Sequence, residues 1–174
     1  MIQINSESGN FARLWNEYKD GFGDATTGEF WLGLENIHQI TSQGNWSLDV
    51  ALERNNGTKQ VVNFGTFRVG NEASDYTLSI GKFDGGSTGL SDLGHYHNNK
   101  RFSTLDRDND GHPTSCASHY YGTGWWYNPS CYQFHLNLPP GKIVYSGKGS
   151  GSGIYQKAMM VLKGSGKSLF QFYL

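Results

Sequence analysis

Apolar residues recur three and four positions apart near the start of the chain, then every second position, and the pattern fades after Phe83. In NFARLWNEYKDGFG, Phe11, Leu14, Trp15 and Tyr18 fall at i, i+3, i+4 and i+7. They form one helical face, with Asn10 placed to cap it and Gly21 to stop it. GEFWLGLENIHQIT (28–41) reads as a second, shorter helix with Leu34 and Ile37 inward. The period then becomes two: Leu48, Val50 and Leu52 alternate, Asn55-Asn56-Gly57 supplies a turn, and a second β-like run completes a hairpin. FRVG and YTLSIGKF add two short strands, and AMMVLK (158–163) is the last, leaving a C-terminal tail over 164–174. Residues 84–153 carry mostly Gly, Asn, Asp and Ser with interleaved aromatics. A loop region that long inside one domain is functional or pinned, here by a disulfide, a metal or both.

A length of 174 residues suits a single domain over 1–174 with its own core. Aromatics reach 14% against 17% charged residues, too many large buriable side chains for a disordered segment. Net charge is −1 with Lys and Arg scattered, so no basic stripe marks a nucleic-acid binder. No apolar run approaches about 20 residues, which excludes a helical membrane insertion. The opening MIQINSESGN has neither a basic nor an apolar leader region, so no signal peptide is read there. Sequons at Asn45 and Asn56 fit an exported protein, whereas Asn128-Pro129-Ser130 is ruled out by its proline. The glycines of SGKGSGSG (146–153) and the Gly166-Lys167-Ser168 run miss both phosphate-cradle spacings and read as loop.

The densest candidate chemistry is FSTLDRDNDGHPTSCA (102–117). Asp106, Asp108 and Asp110 occupy positions 1, 3 and 5 of a D-x-D-x-D-G run, hard oxygen donors on a loop that Gly111 lets bend, which suits Ca2+. An EF-hand would need a bidentate Glu at position 12, where Ala117 stands, so that motif is rejected. The residues alone leave two readings open, a calcium loop or three solvated aspartates capping local turns. His95, His97, His112 and His119 raise zinc. His95 and His97 would share one face of a strand, yet no carboxylate or Cys completes a tetrahedral spacing, and loop histidines are the reading.

The pieces WNEYKDGFG, GEFWLGLENIHQIT, HNNKRFST, DRDND, the first Cys, GWWY and the second Cys, in that order, resemble a fibrinogen-related domain, the module of fibrinogens, ficolins, tachylectins, angiopoietins and tenascins. The resemblance runs from about Ile2 to Lys163 and implies an α+β fold: a small antiparallel sheet, few short helices and a long loop-rich calcium-binding subregion. The family's N-terminal strands and first disulfide have no counterpart in the sequence. Carried over, the family's calcium site falls on the carboxylates of Asp108 and Asp110 and the carbonyls of His112 and Thr114, with Asp106 outside the set. The resemblance also implies a Cys116–Cys131 disulfide, hence an oxidising, extracellular compartment.

In lectin-like members, a pocket beside the calcium site holds the acetyl group of N-acetylated sugars, and the peptide before the second Cys is cis. Here that bond is Ser130–Cys131. The corresponding ligand-binding residues are Tyr120, Trp126, Tyr127, Ser130, Cys131 and Tyr132, while one of Trp125 and Trp126 is expected in the core. The sequence departs from the pattern at Tyr132, where acetyl-binding members carry His, at FHLNL (134–138) and at the shortened PPGKIVY (139–145). Tyr120, Tyr121, Tyr127 and Tyr132 then offer an aromatic patch suited to sugar faces or a protein partner. The resemblance thus implies a secreted, calcium-stabilised recognition module of innate-defence type, a lectin for glycans or acetylated groups. The alternative is a module gripping a cell-surface receptor or peptide knob, as in angiopoietins and fibrinogen. A homo-oligomer is left open. The sequence has no G-x-S-x-G elbow and no spaced triad, so no enzyme is read.

Overall fold

A computed structural model of the protein describes residues 1–6, 9–146 and 153–164. Its strands are β1 (Gln3–Asn5), β2 (Phe22–Asp24), β3 (Glu29–Trp31), β4 (Trp46–Glu53), β5 (Lys59–Val69), β6 (Leu78–Asp84), β7 (Phe134–His135), β8 (Ile143–Tyr145), β9 (Gly153–Tyr155) and β10 (Lys157–Gly164). Seven of them form one antiparallel sheet in the order β2-β3-β1-β10-β4-β5-β6, and β7-β8-β9 form a second. Helices are short: α1 (Trp15–Asp20), α2 (Leu34–Ser42), α3 (Gly94–His97) and α4 (Cys116–His119). This is the α+β arrangement expected.

The hairpin forms as the alternation requires, with Leu48, Val50 and Leu52 buried on one face of β4 and Val50 paired with Val62 across it. Inside β5 the alternation changes phase, because Val62 and Phe64 face the core and so do Phe67 and Val69. The step lies at Gly65, between the pairs Phe64–Phe83 and Thr66–Gly81, opposite Lys82 with its left-handed φ of 55°. FRVG is therefore the end of β5 and not a strand of its own.

Two helix expectations need correction. The segment 28–41 is split: Trp31 pairs with Gln3 on one side and Phe22 on the other, so its first residues are strand, and the helix begins only at Leu34. Sheet pairing at both edges outweighs the local helical pattern. Between the two, Gly33 has φ 101°, and a Cβ there would meet the Asp20 backbone at 2.7 Å. In the first segment the helix starts at Trp15, not after Asn10, whose Oδ1 accepts from Ala12 N instead. The Trp15 amide is capped from far along the sequence by Asp106 Oδ1, at 2.9 Å. Leu14, expected inward, is 48% exposed.

Over 84–146 few backbone bonds belong to sheets, so side-chain contacts fix the path of the backbone. From β1, Asn5 Nδ2 donates to the Leu136 and Leu138 carbonyls at 2.8 and 2.7 Å, stitching FHLNL to the large sheet. An aromatic cluster of Tyr18, Trp31, Phe102 and Trp126 joins α1 and β3 to the loops, with the Tyr18–Phe102 and Phe102–Trp126 centroids each 5.0 Å apart. Gly124 passes so close to it that a Cβ would lie 2.6 Å from the Tyr18 ring.

Candidate recognition site beside the disulfide loop

The aspartate run divides into an anchoring half and a presenting half. Asp106 accepts from Trp15 N and Thr104 Oγ1, and Arg107 lies 4.0 Å over the Trp15 ring while its Nη2 donates to Asp75 Oδ1 at 2.6 Å. These two residues tie the loop to α1 and to the turn before β6. Asp108 stays exposed, with Oδ1 accepting from Asp110 N at 3.2 Å. Asp110 is half-buried and shapes the next turn, accepting from His112 N at 2.8 Å and from Cys116 N at 2.9 Å. His112 Nδ1 lies 2.7 Å from the Thr114 carbonyl. Two carboxylates and two loop carbonyls are hard oxygen donors, chemically suited to Ca2+.

Cys116 and Cys131 are joined in a disulfide, with Cα atoms 5.5 Å apart. His112 places a ring nitrogen within 4.8 Å of both sulfurs, a grouping sequence spacing had not suggested. Zinc would need thiolates there, and both sulfurs are spent on each other. Every peptide bond among the described residues is trans, Ser130–Cys131 included, which corrects the cis expectation. The Cys131 N–H donates to the Asn128 carbonyl at 2.7 Å and Asn128 N returns a bond at 2.8 Å, so that donor is committed inside the loop.

Two buried histidines hold the disulfide loop from beneath. His97 lies in α3, not on a strand face, and is fully buried. Its Nδ1 donates to the Trp126 carbonyl at 2.9 Å, while Nε2 accepts from Gln133 N and Phe134 N, each at 3.2 Å. One neutral imidazole thereby clamps both sides of the loop, and burial pushes its pKa down to about 4. His135 stacks on Trp125 at 4.9 Å and shares Nε2 with Tyr127 Oη and Thr123 Oγ1. Those two hydroxyls donate to the Thr123 and Tyr120 carbonyls, so His135 Nε2 carries the hydrogen. Burial holds its pKa well below the usual imidazole value.

Beside this loop opens a cleft of about 280 Å3. Tyr120 and Tyr132 meet edge to face, 4.7 Å between centroids, with Tyr121 and His119 beside them. Burial, then the neighbouring Tyr120, raises the Tyr132 pKa, so the phenol stays protonated at neutral pH. The second sheet supplies the other side. Ile143, Tyr145 and Tyr155 point into the core, so their strand neighbours Val144 and Ile154, paired across β8 and β9, face the cleft with Leu138 and Lys142. A second depression, about 210 Å3, lies between Ala51, Val61 and Met159 on the outer face of the large sheet, away from the disulfide.

Residues 2–169 match the family defined by the C-terminal globular domain of the fibrinogen beta and gamma chains. The protein belongs to that family. This fibrinogen-related domain is 44% identical to human ficolin-3 over 128 residues, covering 74% of this sequence and 41% of ficolin-3, so it spans about two fifths of that relative. The fibrinogen-like globe domain of human ANGPTL2 superposes with a TM-score of 0.80 at 36% identity, covering 94% of this protein and 78% of that one. Lamprey fibrin D-dimer, solved with the peptide ligand Gly-His-Arg-Pro-amide, gives 0.75 at 29% identity, covering 99% of this protein and 65% of that one.

Of the residues that the resemblance assigns to ligand binding in this fibrinogen-related domain, the structure brings Tyr120 and Tyr132 to the cleft. Trp126 and Tyr127 are each 1% exposed and are not among the residues that line it. Trp126 Nε1 donates to the Tyr76 carbonyl, and Trp125 is as buried as Trp126, so both tryptophans are core. Ser130 is exposed and Cys131 is buried in the disulfide. Val144 and Ile154 were missed; alternation in KIVY offered the one usable signal for Val144. The tail over 165–174 and the glycines at 147–152 lie outside the described residues.

Proposed function

We propose that this fibrinogen-related domain is an extracellular, calcium-stabilised lectin, a non-enzymatic module whose tyrosine cleft binds glycans or acetylated groups. The observation that carries this reading is the Tyr120–Tyr132 pair over the Val144–Ile154 floor, beside the disulfide. Aromatic faces and a small apolar floor are what a sugar's C–H face and an acetyl methyl require. The formed disulfide supports an oxidising compartment, and no described helix is long and apolar enough to cross a membrane. Retention on immobilised N-acetylglucosamine, released by free acetate, is the expected result; no retention on any acetylated glycan removes the lectin reading.

A protein-binding role is the second reading, favoured by Tyr121 and Ile154, which are 54% and 58% exposed at the cleft and would be covered by a flat partner. Nanomolar binding to a cell-surface protein, indifferent to sugars, would establish it.

Calcium enters this reading as a scaffold held by Asp108, Asp110 and the carbonyls of His112 and Thr114. At a hundredfold excess over Kd, a ligand bound only by the folded state adds about 2.7 kcal/mol, or roughly 5–10 °C for a domain of this size. The thermal midpoint is expected to rise by that order with Ca2+, and Asp108→Ala with Asp110→Ala to abolish the rise. A wild-type titration with no shift removes the metal.

A further inference from the structure

Two sequons stand one on each side of β4, and the structure gives them different surroundings. In Asn45-Trp46-Ser47 the last two residues open the strand, paired with Gly164 and Lys163 of β10. The Ser47 hydroxyl donates to the Lys163 carbonyl at 3.4 Å. The Trp46 ring lies against Gly164, 3.4 Å from where a Cβ would stand. This sequon therefore has a bulky, packed indole in its middle and a hydroxyl already engaged by the sheet.

Asn56-Gly57-Thr58 instead lies at the tip of the β4–β5 hairpin. Gly57 N donates to the Arg54 carbonyl at 2.9 Å and Arg54 N to the Thr58 carbonyl at 3.0 Å, with Gly57 at φ 79°. Both bonds close within residues 54–58, so the turn is built from sequence neighbours alone. Asn56 Oδ1 accepts from Thr58 N at 3.0 Å, an Asx turn. Neither Asn56 Nδ2 nor Thr58 Oγ1 has a hydrogen-bond partner among the described residues. Residues 55–59 are all exposed, and a Cβ at Gly57 would meet nothing within 4 Å. The tip has room for a large substituent.

We propose that Asn56, and not Asn45, is an N-glycosylation site of this domain. The inference rests on the extracellular half of the reading above and is independent of what the cleft binds. In the transfer, Asn56 Nδ2 attacks C1 of an oligosaccharide carried on a lipid diphosphate. The N–C1 bond forms, the C1–O bond breaks and the diphosphate leaves with the bonding pair, while one Nδ2 proton passes to a base of the transferase. An amide nitrogen is a weak nucleophile because its lone pair is shared with the carbonyl. The Thr58 N–H on Oδ1 stabilises the charge that builds on that oxygen as the proton leaves, and the unengaged Thr58 hydroxyl is open to the transferase. The strands leaving the turn supply Glu53, Lys59, Gln60 and Val61 to the depression on the outer face of the large sheet. A bulky, hydrated glycan on Asn56 keeps that end of the face out of any protein interface.

The test is expression of the full chain behind a cleavable secretory leader in cultured animal cells, with intact mass and peptide mapping before and after peptide-N-glycosidase. The expected result is a single glycan, removed by the enzyme with conversion of position 56 to aspartate. Asn56→Gln and Thr58→Ala are each expected to abolish the mass shift, and Asn45→Gln to leave it unchanged. Thr58→Ala keeps the Asn56 side chain and removes only an exposed hydroxyl, so its effect is not one of folding. A glycan at Asn45, alone or beside one at Asn56, overturns the proposal. A protein with no glycan also overturns it, and the same spectra separate the cause. A formed Cys116–Cys131 bridge then leaves the extracellular reading standing, whereas free thiols bring that reading down as well.

Discussion

Lowering the pH from 6.5 to 4 is expected to remove roughly 3 kcal/mol of stability through His97 alone, because burial holds its folded-state pKa at about 4 against 6.5 unfolded. Between those values the unfolded state binds the proton and the folded domain does not, so stability is full above 6.5 and falls as the pH drops towards 4. Below 4 the loss through His97 levels off. The structural reason is specific: Nε2 accepts from the Gln133 and Phe134 amides, and a proton there would face two donors. His135, also buried and shifted downwards, adds to the loss with the same sign. Against a typical total of about 5–15 kcal/mol this is a large share. Urea unfolding at pH 7 and pH 4.5 measures it. His97→Gln, whose amide can still donate to Trp126 and accept from the loop without titrating, should flatten much of the dependence. Equal slopes for His97→Gln and wild type would show that His97 is not its source.

The second large effect is expected from Cys116→Ser with Cys131→Ser. The bridge spans 15 residues, and releasing a loop of that size costs about 3 kcal/mol, chiefly by freeing the unfolded state. Replacement is preferable to reduction, since free thiols would leave His112, Cys116 and Cys131 close enough to take up a soft metal. Tyr120 follows α4 directly and Tyr132 follows Cys131, so ligand binding should weaken alongside stability. A change in unfolding free energy below about 1 kcal/mol would overturn this unfolded-state account of the bridge.

What could be read in advance follows from how far each signal reaches along the sequence. The hairpin of β4 and β5 was legible because alternation and an Asn-Gly turn act between neighbours. The two helices start later than their local patterns predict, because Trp15 is capped by Asp106 and Trp31 is paired by Gln3 and Phe22. None of those partners is local in the helical register.

The candidate site divides in the same way. DRDND with its cysteines and GWWY carried the family, and through it Tyr120, Tyr132 and the disulfide pairing, since these are fixed by residue type and order. The sequence by itself also determined the absence of a basic stripe. Only the tertiary structure decided that Trp126 and Tyr127 are buried away from the cleft lining and that Val144 and Ile154 join Tyr120 and Tyr132 in it. Those facts depend on which face of β8 and β9 meets the core and on a histidine, His97, that closes the loop from more than thirty residues away. Burial and charge balance are sums over neighbours that folding brings together, and a linear sequence carries no record of that proximity.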